Sequence, residues 1–476
     1  MERTKKSQIT NNYEQNNSTV IAALPNNTTN GFRQSKETSP ELIKEALNLA
    51  VDAVVEHKEK YVRNPNGDFT RNRKISMKEV INLILTMEGG SLNREIYKYG
   101  QLTGKTLSSA GFVQQRNKIM SSAFQAIFQH FNARCADNKT YRGYSLLAVD
   151  GSDVNQYRNP ETDTFVRNSS NPHGYNQTHL NALYDLCNKT YIDVELQPRP
   201  TANEHKALLA MLYRNTFQQK TIILADRGYE SYNTFAHLLE KKVNFLFRVK
   251  NGSGAMAAVK KLPMENCDED VTIEISTSQT KEDKEKGRRF IQTGSKKGRA
   301  NSPNTIIQQW DFASPYTMCF RIVRFMLEGG EYETIATTLS RDEFPAEEIK
   351  NIYHLRWGIE TSFRELKYNI GLTNLHCKKE DFARQEIYAA LIMYNFCSRL
   401  SGIVSIIPKA KCMHQYKLNF AMAIYLCRRY YRHCDISSTE LLHKLICYVA
   451  PVRPSRRDKR KMKIKTFVGF VYRVAA

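Results

Sequence analysis

Apolar residues along the chain change their spacing several times, and each change marks a different kind of structure. Residues 1–40 are rich in Asn, Thr and Ser, have no apolar period, and predict a disordered tail. From about residue 40 to 135 apolar positions recur at intervals of three and four. The segments "ELIKEALNLAVDAVVEHKEKYV", "SMKEVINLILTME", "LNREIYKYG" and "FVQQRNKIMSSAFQAIFQHF" each predict a helix. Short helices with a glycine-containing turn between the last two fit a helix-turn-helix, a pattern that many small helical domains share.

Around residue 144 the texture turns to short apolar runs closed by polar residues. "YSLLAVD", "THLNALYDL" and "TYIDVELQ" predict three successive antiparallel strands. "NEHKALLAMLYRNT" predicts a helix with Asn203 as its N-cap, followed by strand "KTIILAD", helix "YNTFAHLLEKK" and strand "VNFLFRV". The order βββαβαβ predicts an α/β layer on a mixed sheet. Between about 250 and 343 the helical period vanishes. "VTIEIS", "NTIIQQWDF", "TMCFRIVRFML" and "YETIATTLS" predict an inserted β region, whose residues 281–300 carry eight Lys or Arg against three acidic residues. That charge run reads first as a solvated loop. Helix resumes with Pro345 at N1, bends at Gly358, and returns over residues 385–450 before the basic segment "RPSRRDKRKMKIK".

The expected organisation is a tail over 1–40, a helical DNA-binding domain over 41–140, and a mixed-sheet core over 141–375 interrupted at about 250–343. A helical C-terminal region with a basic tail follows over 376–476. A length of 476 residues suits two or three such units.

Charge adds the first functional constraint. Seventy Lys and Arg against 48 Asp and Glu leave +22, an excess that points to a phosphate polyanion as partner. The ten cysteines are scattered with no CxxC, as in a reduced, cytoplasmic protein. Cys427, Cys434, His443 and Cys447 fit no usual zinc spacing; His443 and Cys447 are expected on one helix facing a core. No run approaches the roughly 18 apolar residues of a membrane span, and "VIAAL" is too short for a signal-peptide core.

Two apolar strands end in aspartate, "LLAVD" at Asp150 and "IILAD" at Asp226. A strand-end aspartate is by itself most often a turn residue. Two of them on neighbouring strands would stand side by side at a sheet edge, where like charges call for a cation such as Mg²⁺ or Mn²⁺. Asp153 competes with Asp150, but the apolar run delivers Asp150 to the edge.

A third carboxylate comes from "YHLRWGIETSFRELK". At about 100° per residue, Tyr353, Arg356, Glu360 and Lys367 fall within roughly 60° of one another. Ile352, Leu355, Ile359, Phe363, Leu366 and Ile370 form the apolar face beside them, and Trp357 is expected in the core. A Glu360 pair with Arg356 or Arg364 is the ordinary surface alternative. Three carboxylates beside a cationic stripe in a basic chain favour a site instead. There Asp150, Asp226 and Glu360 would hold two divalent ions for phosphoryl transfer, and Tyr353, Arg356 and Lys367 would meet phosphate oxygens.

The spacing Tyr353-x2-Arg356-x3-Glu360-x6-Lys367 resembles the YREK signature of DDE transposases of the insertion-sequence-four group. "LAVDGS" and "LADRGY" resemble that family's two aspartate motifs. The resemblance covers roughly residues 75–400. It implies a ribonuclease-H-like core carrying the insertion, two Mg²⁺ or Mn²⁺ ions, and cut-and-paste transposition in a bacterial, nucleoid-associated protein. It also implies homodimeric action on inverted-repeat ends and target DNA. In relatives a flipped base stacks on an insertion-domain aromatic, a role for which Trp310 and Tyr332 are candidates here. The rival readings are a nuclease of the same fold without strand transfer and a catalytically silent, transposase-derived DNA-binding protein.

Overall fold

The computed structural model describes residues 39–71, 74–135, 139–169, 171–217, 220–293, 309–406, 415–432 and 436–452. Residues 1–38 of the tail expected over 1–40, most of the strand expected at "NTIIQQWDF" and the basic segment from 453 lie outside the described residues; Ser39 and Pro40 begin the first described helix instead.

The described residues begin with helices α1 (Pro40–Glu56), α2 (Met77–Thr86), α3 (Leu92–Thr103), α4 (Ser109–Arg116) and α5 (Ser121–Arg134). Their starts are written locally. Ser39 caps α1 ahead of Pro40, and Ser76 with Glu79 closes a reciprocal capping box on α2.

The sheet follows as β1 (Tyr144–Gln156), β2 (Phe165–Asn168), β3 (Asn171–Asp185), β4 (Thr190–Pro198), β5 (Lys220–Ala225) and β6 (Asn244–Val249). Helix α6 (Glu204–Arg214) precedes β5, and α7 (Tyr232–Glu240) lies between β5 and β6. β4, β3 and β1 pair antiparallel in that order, and β5 and β6 continue parallel to β1. Three antiparallel strands followed by two parallel ones is the ribonuclease-H-like order.

The β region that follows is not a separate layer. β7 (Cys267–Ser276), β8 (Arg289–Phe290), β9 (Tyr316–Met326) and β10 (Tyr332–Thr337) extend the same sheet, with β10 antiparallel to β6. Gln309–Phe312, expected as strand, is irregular.

The helix expected from Pro345 is interrupted. Pro345 is the N-cap of α8 (Ala346–Leu355), the chain tightens at Arg356, and α9 (Trp357–Arg364) continues into a π-helical turn, Glu365–Ile370. Gly371, at φ +98, ends that turn in a backbone conformation that favours glycine. The last helices are α10 (Glu380–Ser401), α11 (Phe420–Arg432) and α12 (Ser438–Cys447). His443 and Cys447 do share α12, yet both are exposed rather than turned to a core; Cys434 lies outside the described residues.

Helix α10 is buried along almost its whole length and organises one face of the molecule. Its apolar side chains join those of α1, α2, α5, α9 and α11 and one sheet face (Ala148, Val154, Leu180, Ala182) in a single core. Alternate residues of the same strands, Leu147, Val149 and Ile223, face α6 and α7 in a second core. Asn395 of α10 accepts from Tyr191 N and donates to Tyr191 O, both at 2.8 Å, where the β3–β4 register slips. A deeper tie is Arg116 of α4, 1% exposed. It donates to Gln385 (2.8 Å), Glu386 (2.9 Å) and the Phe382 carbonyl (2.8 Å).

Burial works against an ionised Glu386, but Arg116 and His376 outweigh it and hold the carboxyl down at about 2. Replacing Arg116 with Met strands that charge and should cost about 3–5 kcal/mol in urea unfolding. A carboxyl depressed in the folded state contributes stability above its ordinary pKa of 4.5 and loses it as pH falls toward about 2. The stability deficit of Glu386→Gln should therefore shrink over that window. A deficit unchanged by pH contradicts the ion pair.

Candidate active site

β1 and β5 run parallel with Ala148 opposite Leu224. Two residues further on, the same register brings Asp150 and Asp226 to neighbouring positions at the carboxyl edge. Side-chain alternation sends both to the face that carries α8 and α9, since Leu146, Ile222 and Leu224 pack there with Ile349, Ile352 and Tyr353. Asp153 has the opposite parity and points to the other face. Asp150 therefore shares a face with Asp226, but β1 does not end there as expected; it runs on to Gln156 in its ladder with β3.

Glu360 arrives from α9. Ile359 and Phe363 anchor that helix in the first core. The Tyr191 hydroxyl lies 2.9 Å from Ser362 Oγ, and Tyr394 donates to Glu365 Oε2 at 3.1 Å. So fixed, Glu360 accepts from Arg356 Nη2 at 2.9 Å, while Arg356 Nη1 stands 4.0 Å from Asp150 Oδ2. The i,i+4 pair weighed as a surface alternative does form, but inside the site, with Arg356 only 4% exposed.

The electrostatics record the crowding. Burial pushes the Asp150 carboxyl up to about 6; the Gly151 N–H and Arg356 oppose this, and the charges of Asp226 and Glu360 add to it. Asp226 accepts from Gly228 N at 2.7 Å, which turns the chain sharply after β5. Arg356 Nε and Nη1 and the Tyr353 hydroxyl are buried without hydrogen-bond partners. The three carboxylates share one edge, although among the described residues no three His, Cys, Asp or Glu side chains are drawn into metal-binding geometry. Their chemistry fits a divalent cation: all donors are hard oxygens, they repel one another, and unpartnered donors surround them.

The remaining expected residues divide. Lys367 lies in the π-turn, and its charge joins His179 and Arg199 in depressing the Asp153 carboxyl. Tyr332 begins β10 opposite the end of β6, on the same sheet edge as Asp226. Trp310 is not brought there. It packs against Phe312 and Tyr316 (ring centroids 5.5 and 5.4 Å apart), and Tyr316 bonds Glu240 at the far end of α7. Two apolar residues of the stretch also depart from expectation: Leu355 is 42% and Trp357 53% exposed, the latter beneath the Arg356 guanidinium.

Sequence reading missed a second polar cluster on the opposite face. His179 of β3 bonds Asp153 Oδ1 through Nδ1 (2.7 Å) and Glu204 Oε1 through Nε2 (3.0 Å), and Arg199 stands 3.1 Å from Asp153. Burial opposes a charged ring, but the two carboxylates outweigh it and hold His179 at about 9, protonated at neutral pH. A histidine within a strand and a glutamate in a helix's first turn are common enough that only their pairing shows them to be special.

Comparison with known proteins follows this geometry. A stretch of 66 residues, 14% of this chain, is 36% identical to the InsL protein described as a transposase for insertion sequence element IS186A of Escherichia coli (strain K12). The transposase for insertion sequence element IS421 of Escherichia coli matches to the same extent. The matched stretch spans 18% of these curated relatives' length. A piggyBac transposase in a synaptic complex with hairpin DNA, solved by cryo-EM, superposes with a TM-score of 0.44 at 12% identity, over 88% of this chain and 87% of that one. That likeness is too loose to argue from. Residues 141–396, more than half of the chain, match the Transposase DDE domain family, and the chain belongs to it.

Proposed function

We propose that the protein is a DNA transposase of the insertion-sequence-four group, cleaving element ends and joining them to target DNA. One observation carries this reading: the β1–β5 register sets Asp150 beside Asp226 at one edge, and Arg356 ties Glu360 to Asp150. Family membership and the Tyr353–Arg356–Glu360–Lys367 spacing support it.

Asp150, Asp226 and Glu360 would hold two divalent cations, Mg²⁺ or Mn²⁺. Such ions, when bound, activate water and stabilise the leaving oxygen of a phosphodiester. The chain's own side chains do the holding. Arg356 and Tyr353 carry buried donors without partners, suited to phosphate oxygens beside the cleaved bond. Lys367 adds positive charge on the Asp153 side, and Tyr332 offers an aromatic ring on the same sheet edge. No side-chain nucleophile is needed, because water and then the freed 3′-hydroxyl attack. The net charge of +22 suits long contact with DNA, with helices α1–α5 as the candidate end-binding region and a homodimer as the acting form.

Glu360→Gln keeps size and polarity but removes a charge that offsets a cation. On a gel of labelled element-end DNA in Mg²⁺, binding should survive, while nicking and strand joining should each fall by roughly 10³-fold or more. Near-normal cleavage refutes the assignment, and loss of binding as well returns Glu360 to a purely structural ion pair.

If Arg356 and Lys367 touch phosphates, each single alanine variant should flatten the slope of log K against log salt by about one unit. Unchanged slopes for both would remove them from the DNA interface.

A further inference from the structure

Gly151 directly follows Asp150 and Gly228 stands two residues after Asp226, and neither glycine has a positive φ. Backbone conformation does not demand glycine at these places; space does. A Cβ on Gly151 would stand 2.4 Å from His179 Nε2 and 2.8 Å from Glu204 Oε1. A Cβ on Gly228 would stand 2.9 Å from Asp226 Oδ1 and 3.8 Å from Glu204 Oε2. The two oxygens of Glu204 therefore bridge the gap between the aspartate motifs, one against each glycine.

A second feature directs this carboxylate toward the site. The side chain of Tyr229 is fully buried, and its hydroxyl has no hydrogen-bond partner. The carboxylates bearing on that hydroxyl are Glu204, Asp150 and Asp226. A buried, unpartnered phenol thus sits where carboxylates from both sheet faces meet. Glu360 belongs to the layer with Ile359 and Ala148, and Glu204 opens α6, whose Leu208 and Met211 pack on the other face. The two glutamates approach the aspartates from opposite sides of the sheet.

We propose that Glu204 is a fourth carboxylate of the cation site, serving its Asp226 side, with His179 as the positioning residue. The inference rests on the transposase reading, which supplies the cation. The geometry explains how such a residue is kept without a cation. The His179 ring lies between Glu204 and Asp153 and holds Glu204 Oε1, leaving Oε2 on the Gly228 side.

The test is calorimetric titration of the full-length protein with Mn²⁺ in the absence of DNA. It is read alongside the Mn²⁺-induced rise in melting temperature, each variant being compared with its own metal-free value so that lost binding and lost folding separate. Glu204→Gln should weaken Mn²⁺ binding at least about tenfold. His179→Gln should weaken it less, and the double variant should bind no worse than Glu204→Gln, because His179 acts through Glu204. If Glu204→Gln binds as the unaltered protein does while Asp226→Asn does not, the fourth carboxylate is refuted and the transposase reading stands. If Asp150→Asn and Asp226→Asn also leave the titration unchanged, the cation site fails and both fall together.

Discussion

Carboxylates gathered at one sheet edge repel one another, and the structure around them is shaped by that cost. Burial and neighbouring negative charge already push Asp150 toward protonation. Arg356 is the compensating charge: it binds Glu360 directly and lies within ion-pair reach of Asp150. The helix tightens at this residue, and α8 and α9 pack into different cores on either side of it. The hydroxyls of Tyr191 and Tyr394 then fix α9 from below through Ser362 and Glu365.

The helical shell belongs to the same construction. Helix α10 lies under α9 and shares one core with α1, α2 and α5. Through Arg116 it also holds α4 by three buried hydrogen bonds. The first five helices are thus continuous with the support of Glu360, and a load on them reaches the site through packed side chains rather than through a linker.

Much of this was legible in the sequence because it depends on short-range regularities. Strand alternation separates Asp150 from Asp153, and the apolar run before Asp226 ends where β5 ends, whereas β1 runs on past Asp150 to Gln156. Helical phase found Glu360, four residues from Arg356 on one side of the helix. The same phase failed at Leu355 and Trp357, because it holds only while the turn stays near 3.6 residues; the tightening at Arg356 and the π-turn reset it. The pairing of β10 with β6 joins residues roughly ninety positions apart, so the sequence shows a β region there but not that it extends the same sheet. Trp310 stood in an expected strand as a candidate for base stacking, but it is partly buried and packs against the core under α7. The His179–Glu204 pair left no sequence signal beyond the two glycines that make room for it.

The central claim is that the carboxyl edge of β1 and β5 is built to receive divalent cations. Crystals grown with Mn²⁺ and measured for anomalous scattering would test it directly. The account predicts a strong anomalous peak in contact with the carboxylates of Asp150 and Asp226, with Glu360 released from Arg356 toward it. Mn²⁺ bound elsewhere, with Arg356 still closing an ion-free edge, would contradict it.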